Sequence, residues 1–194
     1  VNSTALELAG IDASTPDPAD GRIERLPDGS PQGTVHEGAG GLVSRIIPPL
    51  DPATVYQGLL RGQAYLHSLG LTGWQDAIVD RDLIMDNYDA YLRAGASGDL
   101  TGRVVGALWW DRAKGVEQID DLVALREGGT SGRFRATSVK IMQDGVCENF
   151  TAAVLDPYLD ESGQPTDNRG ISFVDPEVLD EAVTRLDALG FQVH

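Results

Sequence analysis

From Asp51 onward, the apolar positions alternate between helical spacing and short continuous runs. Spacing of three and four residues predicts helices, whereas short apolar runs bounded by glycine or polar residues predict buried strands. Two helix starts carry strong signals, because Asp51-Pro52 and Asp175-Pro176 each offer an N-cap followed by proline at the first helical position. Four helices are predicted, at 52–69, 83–95, 116–126 and 176–189. Four strands are predicted, at 71–77, 103–110, 134–142 and 191–194.

The first fifty residues follow a different pattern. Asn2 caps a short helix that Gly10 ends, and two short runs, Arg22 to Leu26 and Gln32 to His36, flank a Pro-Asp-Gly-Ser turn. These features predict a helix and a hairpin within an otherwise irregular segment. We therefore divide the chain into an N-terminal segment, 1–50, and a helix–strand section, 51–194.

The alternation of helices and strands predicts an α/β fold with a parallel sheet of about four strands. Either an open doubly wound sheet or a section of a (β/α)8 barrel satisfies this order. In both folds, sites lie at the carboxyl ends of the strands. The candidates at those ends are Asp76, Trp110, Asp144 and His194. The chain begins in a helix and stops in a strand, so we expect a piece of a longer protein or one that pairs with another copy or with the rest of the barrel.

Charge and composition narrow the class of partner. The formal net charge is -15, which would repel a phosphate backbone, so nucleic-acid binding is not expected. The sequence contains no apolar run long enough to cross a bilayer, which requires ~20 residues. Cys147 is the single cysteine, so no disulfide forms within the chain, and a cytoplasmic location is expected.

Lys140 is the residue whose setting most requires an explanation. It lies between Val139 and Ile141 in an apolar strand, where burying an unpaired charge is costly. Such a lysine must pair, for example with Asp144, stay neutral as a nucleophile, or be chemically modified. These alternatives point to a metal-ligand, a Schiff-base or a purely structural role.

Several segments, in order, resemble amidohydrolase family 3, the group that includes N-substituted formamide deformylases. The matching segments are Asn2-Ser3-Thr4-Ala5-Leu6, Gly33-Thr34-Val35-His36-Glu37, Gly70-Leu71-Thr72-Gly73-Trp74-Gln75-Asp76, Val139-Lys140-Ile141-Met142-Gln143-Asp144-Gly145 with Thr151-Ala152 and Pro157-Tyr158 after it, and Gly190-Phe191-Gln192-Val193-His194. Each segment is short, and their shared order along nearly the whole chain makes the resemblance specific.

The resemblance implies part of a (β/α)8 barrel and hydrolysis of non-peptide C–N bonds in small amides or formamides. It also implies a divalent metal, zinc above all, with Lys140 carboxylated as one ligand and His194 at or beside another. Asp76, Trp110 and Asp144 would line the pocket. The family's paired first-strand histidines and its catalytic aspartate have no counterpart here. No catalytic residue is therefore assigned within this chain, and we expect it alone to lack metal and activity.

Two other functions remain open at this level. Lys140 could form a Schiff base in a lyase or aldolase built on a similar barrel. The chain could also be a non-catalytic half-barrel that self-associates through its open sheet edges.

Overall fold

The computed structural model describes residues 1–81 and 86–194. Within them the chain forms two compact units. Unit 1 consists of Val1–Pro48 and Gln143–Phe173, and unit 2 consists of Pro49–Met142 and Val174–His194. The division predicted at residue 50 lies close to the first of these boundaries. The segment Gln143–Phe173, which the sequence assigned to the helix–strand section, belongs to unit 1.

Unit 1 begins with the predicted helix and hairpin. Helix α1 spans Ser3–Ala9, with the Asn2 side chain accepting a hydrogen bond from the Ala5 N–H, and Gly10 ends it in the left-handed conformation. Strands β1 (Gly21–Arg25) and β2 (Pro31–Glu37) pair antiparallel, as the turn chemistry indicated. A short helix α2 (Gly41–Ser44) follows. A small apolar cluster holds these elements together; its buried members are Leu6, Ala9, Ile11, Ile23, Ala39 and Val43.

The second segment of unit 1 is irregular, and a side-chain hydrogen bond joins it to the hairpin. Its fold is set by a 3-10 turn at Cys147–Asn149 and by an isolated bridge between Asp144 and Ser172. The Thr151 hydroxyl donates a hydrogen bond of 2.9 Å to Glu37 Oε1, at the end of β2. The two segments of unit 1 therefore meet through residues 114 positions apart in sequence.

Unit 2 contains the parallel sheet that the sequence predicted. Strands β3 (Gly73–Val79), β4 (Arg103–Trp109), β6 (Phe134–Lys140) and β7 (Gln192–Val193) are parallel, and each pairs with the next in chain order. The two-residue strand β5 (Thr130–Ser131) runs antiparallel beside the start of β6. Spatial order therefore follows sequence order across the four parallel strands.

Four helices connect and cover these strands. They are α3 (Pro52–Ser68), α4 (Asn87–Ser97), α5 (Ile119–Gly128) and α6 (Pro176–Ala188). Both proline-marked starts are confirmed, since the Asp51 carboxylate accepts backbone N–H bonds at the start of α3 and Asp175 does so for α6. The predicted end of α4 near Gly95 is wrong by two residues, because Gly98 is its left-handed C-cap. The predicted start of that helix at 83–84 lies outside the described residues.

The core of unit 2 lies between the helices and one face of the sheet. Phe134 is fully buried in β6, with the Tyr91 ring stacked on it at 4.7 Å and the Tyr88 ring edge-on at 6.3 Å. Val104, Leu108 and other alternate strand residues belong to the same buried cluster. The intervening residues of each strand consequently point to the opposite face of the sheet. No helix in the described parts of the chain is long and apolar enough to span a membrane.

Candidate functional site

Lys140 lies at the carboxyl end of β6, on the sheet face opposite the helices. Its neighbours Val139 and Ile141 both belong to the buried cluster, so the Lys140 side chain points away from the helices. The residue is half-buried. Among the described residues of unit 2, no carboxylate lies within ion-pair distance of its ammonium group.

His194 is the immediate neighbour of Lys140 on the next strand. Its backbone N–H donates to the Val139 carbonyl and its carbonyl accepts from the Ile141 N–H, both at 2.8 Å. Because these two residues flank Lys140, His194 and Lys140 stand level with each other on adjacent parallel strands. Val193 packs against the buried cluster, so the exposed His194 shares the face of Lys140.

The two tryptophans at the end of β4 point to opposite faces. Trp110 is 1% exposed and lies in the buried cluster with Leu108, so the structure places it in the core of unit 2 rather than on the face of Lys140. Its backbone N–H donates to the Lys140 carbonyl at 2.9 Å. Trp109 is the register partner of Lys140 and is half-buried. Trp109, Lys140 and His194 thus form a row across three neighbouring strands, here called the strand-end row.

Asp76 contacts helix α4 in the structure. The Tyr91 hydroxyl donates to Asp76 Oδ2 at 2.8 Å, and the Asn87 amide approaches the same oxygen at 3.4 Å. Burial raises the pKa of Tyr91, and the neighbouring Asp76 carboxylate raises it further. The Trp74 indole N–H donates to the Tyr91 oxygen at 3.3 Å, which completes a polar network between β3 and α4. These contacts explain Asp76 as a residue that holds helix α4 against β3. The expectation that Asp76 lines a pocket stays a prediction.

Asp144 lies in unit 1, where it shapes the turn that follows β6. Its Oδ2 accepts the Ala153 N–H at 3.0 Å. The next residue must be glycine, because a Cβ at Gly145 would lie 2.1 Å from the Thr151 hydroxyl oxygen. Cys147 in the same segment is exposed. The role predicted for Asp144 in a pocket stays a prediction.

The strand-end row contains an amine, at Lys140, and an imidazole, at His194, and their role as metal ligands stays a prediction. Structural and catalytic zinc sites use three or four protein ligands. Within the described residues, no group of three or more His, Cys, Asp or Glu side chains is placed to hold a metal ion. Lys140 and His194 stand one strand apart, about 4.8 Å at the backbone.

A separate cavity of about 650 Å³ lies beyond the ends of β3 and β4, between α4 and α5. Its walls combine apolar residues such as Val79 and Leu92 with the ion pair of Lys114 and Asp111, whose atoms are 3.6 Å apart. Trp109 borders it, but Lys140 and His194 are not among its described wall residues. The cavity is therefore distinct from the position of the predicted metal ligands.

Comparison with known proteins gives one family. The family model described as the amidohydrolase family matches residues 1–194, the whole chain. The chain belongs to the amidohydrolase family. It is 30% identical over 195 residues to the putative amidohydrolase YtcJ of Bacillus subtilis, and 30% identical over 199 residues to the exoenzymes regulatory protein AepA of Pectobacterium carotovorum subsp. carotovorum. All of the chain is covered in both cases, whereas it spans 35% and 40% of those two proteins.

Two solved structures share the amidohydrolase chain's fold. They are uncharacterized metal-dependent hydrolases from Pyrococcus furiosus, with a TM-score of 0.60 at 20% identity, and from Pyrococcus horikoshii OT3, with a TM-score of 0.61 at 19% identity. Each covers 99% of this chain, which in turn spans 36% and 35% of the two structures. This likeness agrees with a mixed α/β architecture.

Trp109 is the strand-end residue that the sequence analysis did not select. The sequence contained a signal for the direction in which Trp109 points. The large apolar residues of the strand, Val104, Leu108 and Trp110, are two or four positions apart and therefore share one face. If these apolar residues face the helices, Trp109 lies on the opposite face of the sheet, which is the face of Lys140.

Proposed function

We propose that the intact protein is a metal-dependent hydrolase that cleaves the non-peptide C–N bond of small amides or formamides. The observation that carries the proposal is the position of Lys140 and His194, level with each other at the carboxyl ends of adjacent parallel strands. Membership of the amidohydrolase family supports the reaction class. The single cysteine fits a reducing, cytoplasmic location.

We further propose that β3, β4, β6 and β7 are four consecutive strands of a (β/α)8 barrel. Their spatial order follows the chain without reversal, whereas a doubly wound sheet reverses its order at a switch point. One face of the sheet packs against helices through the buried cluster. The opposite face, which carries Lys140 and His194, would be the interior of the barrel. Active sites in such barrels lie at the carboxyl ends of the strands.

In this proposal Lys140 binds metal after carboxylation of its amine. The carbamate would turn a cation into an anion with two oxygen donors, which suits zinc or another divalent ion. His194 would bind the metal through a ring nitrogen, or would orient another nitrogen ligand. A bound zinc ion would polarise the amide carbonyl and lower the pKa of a water molecule. The contribution of this chain is to hold the two side chains at fixed spacing through the hydrogen bonds between β6 and β7.

The test compares the two lysines of the chain in the full-length protein. Lys140→Ala should lower the bound zinc, measured by elemental analysis, and abolish hydrolysis of an N-formyl amine. Lys114→Ala is the matched control, because Lys114 is exposed and its contact is a surface ion pair with Asp111. Carboxylation should appear as a carbamate carbon signal after equilibration with ¹³C-bicarbonate, present in the Lys114→Ala protein and absent from the Lys140→Ala protein.

Two outcomes would contradict the proposal. A metal-free protein with full hydrolytic activity would show that no metal is needed. Trapping of a carbonyl compound on Lys140 by borohydride, without amide hydrolysis, would support the Schiff-base alternative instead.

A further inference from the structure

Unit 1 displays four large apolar side chains on its second segment, Gln143–Phe173. Leu155 is 93% exposed, and Val146, Phe150 and Leu159 are 47–58% exposed. Soluble proteins seldom expose several large apolar side chains together unless the surface is an interaction site. These four residues are here called the apolar surface of unit 1.

The members of the apolar surface of unit 1 lie close together. The Phe150 ring meets the Tyr158 ring edge-on, with 5.3 Å between the ring centroids. The two exposed leucines are one and three residues from Tyr158 in sequence. The Val146 carbonyl accepts the Thr151 N–H at 3.1 Å, which places Val146 beside Phe150.

The backbone beneath this surface is held by hydrogen bonds across the segment. The Val154 N–H donates to the Arg169 carbonyl at 3.0 Å. The Tyr158 N–H donates to the Asn168 carbonyl at 2.9 Å, and the Asn168 amide donates to the Phe150 carbonyl at 2.8 Å. Phe150 has the left-handed conformation, with φ 56°, a strained state of the kind that clusters at binding sites. A partner would therefore meet side chains whose backbone is already ordered, which favours binding.

Carboxylates accompany the apolar side chains along the same segment. Residues 143–173 include six acidic residues and one basic residue, Arg169. Five of the six acidic residues are exposed, and none of the five forms an ion pair within the described residues, 1–81 and 86–194: Glu148, Asp156, Asp160, Glu161 and Asp167. This charge favours a partner of the opposite sign. The same surface on a second copy would bring like charges together, which disfavours a symmetric dimer through it.

We propose that the apolar surface of unit 1 binds a polypeptide segment of a partner protein in which large apolar side chains are flanked by lysine and arginine. The apolar side chains of the partner pack on Leu155 and Phe150. Its cations pair with Glu148 and Asp156, which lie within two residues of those apolar side chains in sequence. The interaction requires neither a metal nor hydrolysis, so it is independent of the proposed function.

The experiment measures binding to the full-length protein by fluorescence anisotropy. The probes are two labelled helical peptides, one of leucine and lysine and one of leucine and glutamate. The leucine–lysine peptide should bind about ten-fold more tightly than the leucine–glutamate peptide. Its binding should weaken as salt is added, because salt screens exposed charges.

Substitutions on the apolar surface test the packing contact. Leu155→Ser should weaken binding of the leucine–lysine peptide about ten-fold, as expected for the loss of one buried leucine contact. Phe150→Asn should also weaken it, since asparagine removes the ring and tolerates the left-handed backbone. Leu8→Ser is the matched control, because Leu8 is 71% exposed on α1, outside the surface, and should leave the affinity unchanged.

A paired change of carboxylates tests the charge contact. The double variant Glu148→Gln/Asp156→Asn should weaken binding of the leucine–lysine peptide about five-fold, through the loss of two exposed ion pairs. The double variant Asp120→Asn/Glu127→Gln is the matched control. It removes as many exposed carboxylates from α5 and should leave the affinity unchanged.

Several results would overturn the proposal. Equal effects of Leu155→Ser and Leu8→Ser would do so, as would equal binding of the two peptides or binding of neither. A full-length dimer that Leu155→Ser dissociates, measured by sedimentation, would show that the surface joins two copies and would also overturn it. If Phe150→Asn fails to fold, Leu155→Ser decides the question, because the Leu155 side chain is almost fully exposed.

Discussion

Replacing Tyr91 by phenylalanine removes one oxygen from the network between β3 and α4 while leaving the buried ring in place. Tyr91 is 4% exposed and its ring stacks on Phe134, so the apolar contact survives the change. The hydroxyl is lost as a donor to the Asp76 carboxylate, 2.8 Å away, and as the acceptor of the Trp74 indole N–H. A hydrogen bond to a charged group contributes about 1.5–3 kcal/mol. We expect Tyr91→Phe to lower the free energy of unfolding by about 2 kcal/mol, a change of about 30-fold in the folding equilibrium.

The assay is denaturant unfolding at neutral pH, followed by circular dichroism. Tyr65→Phe is the control, because Tyr65 is 65% exposed, and surface changes of this kind alter stability by at most ~0.5 kcal/mol. A double-mutant cycle with Asp76→Asn then isolates the Tyr91–Asp76 term, since each residue is removed singly and together. A destabilisation by Tyr91→Phe no larger than that of Tyr65→Phe would refute the assignment of Asp76 to helix packing, and would return Asp76 to consideration as a pocket residue.

Two further predictions concern close packing and pH. A Cβ at Gly106 would lie 2.8 Å from the Phe134 ring, so Gly106→Ala should destabilise the protein by about 1–3 kcal/mol in the same unfolding assay. Gly62 lies in open space on α3, so Gly62→Ala should be neutral or stabilising by up to ~1 kcal/mol. Equal effects of the two substitutions would contradict the close packing of Gly106 on Phe134. Hydrogen bonds from Tyr56, and to a smaller extent from Ser97, lower the pKa of Asp99 in the folded protein. The ionised carboxylate therefore stabilises the folded state fully above the pKa of the unfolded chain, about 3.9. This stabilisation is lost as the pH falls through the lower pKa of the folded state. Tyr56→Phe should therefore raise the pKa of Asp99 in a ¹³C NMR titration and flatten the pH dependence of stability in the acid range; an unchanged Asp99 titration would contradict it.

Much of the fold could be predicted because its signals are local. Asp51 and Asp175 accept the N–H bonds that their positions before proline indicated, and Asn2 caps the first helix. The ends of helices were harder to predict, because more than one glycine lies near the end of α4. Gly95 lies inside α4, where its lack of a side chain allows the Ser131 backbone to approach, and Gly98 is the left-handed residue that ends the helix.

The site was harder to predict because it depends on which face each strand presents. The sequence placed Lys140 and His194 at strand ends, and the pairing of β6 with β7 sets them level with each other. The partners of Asp76 are set by the packing of α4 on β3, which no short stretch of sequence encodes. Register shifts interrupt the pairing of β3 with β4 and of β4 with β6, so counting residues along a strand does not keep the faces constant.

Unit 1 consists of two separate chain segments, so it cannot be completed until both have been synthesised. Its two segments are separated by the 94 residues from Pro49 to Met142, and the Glu37–Thr151 hydrogen bond joins them. During translation, at about 5–20 residues per second, the hairpin emerges several seconds before the residues it must contact. In that interval its unfinished surface is open to chaperones and to proteases. The intervening strands and helices have the same interval in which to form local contacts. Slow codons between these segments would lengthen the exposure, and the yield of folded protein should depend on them.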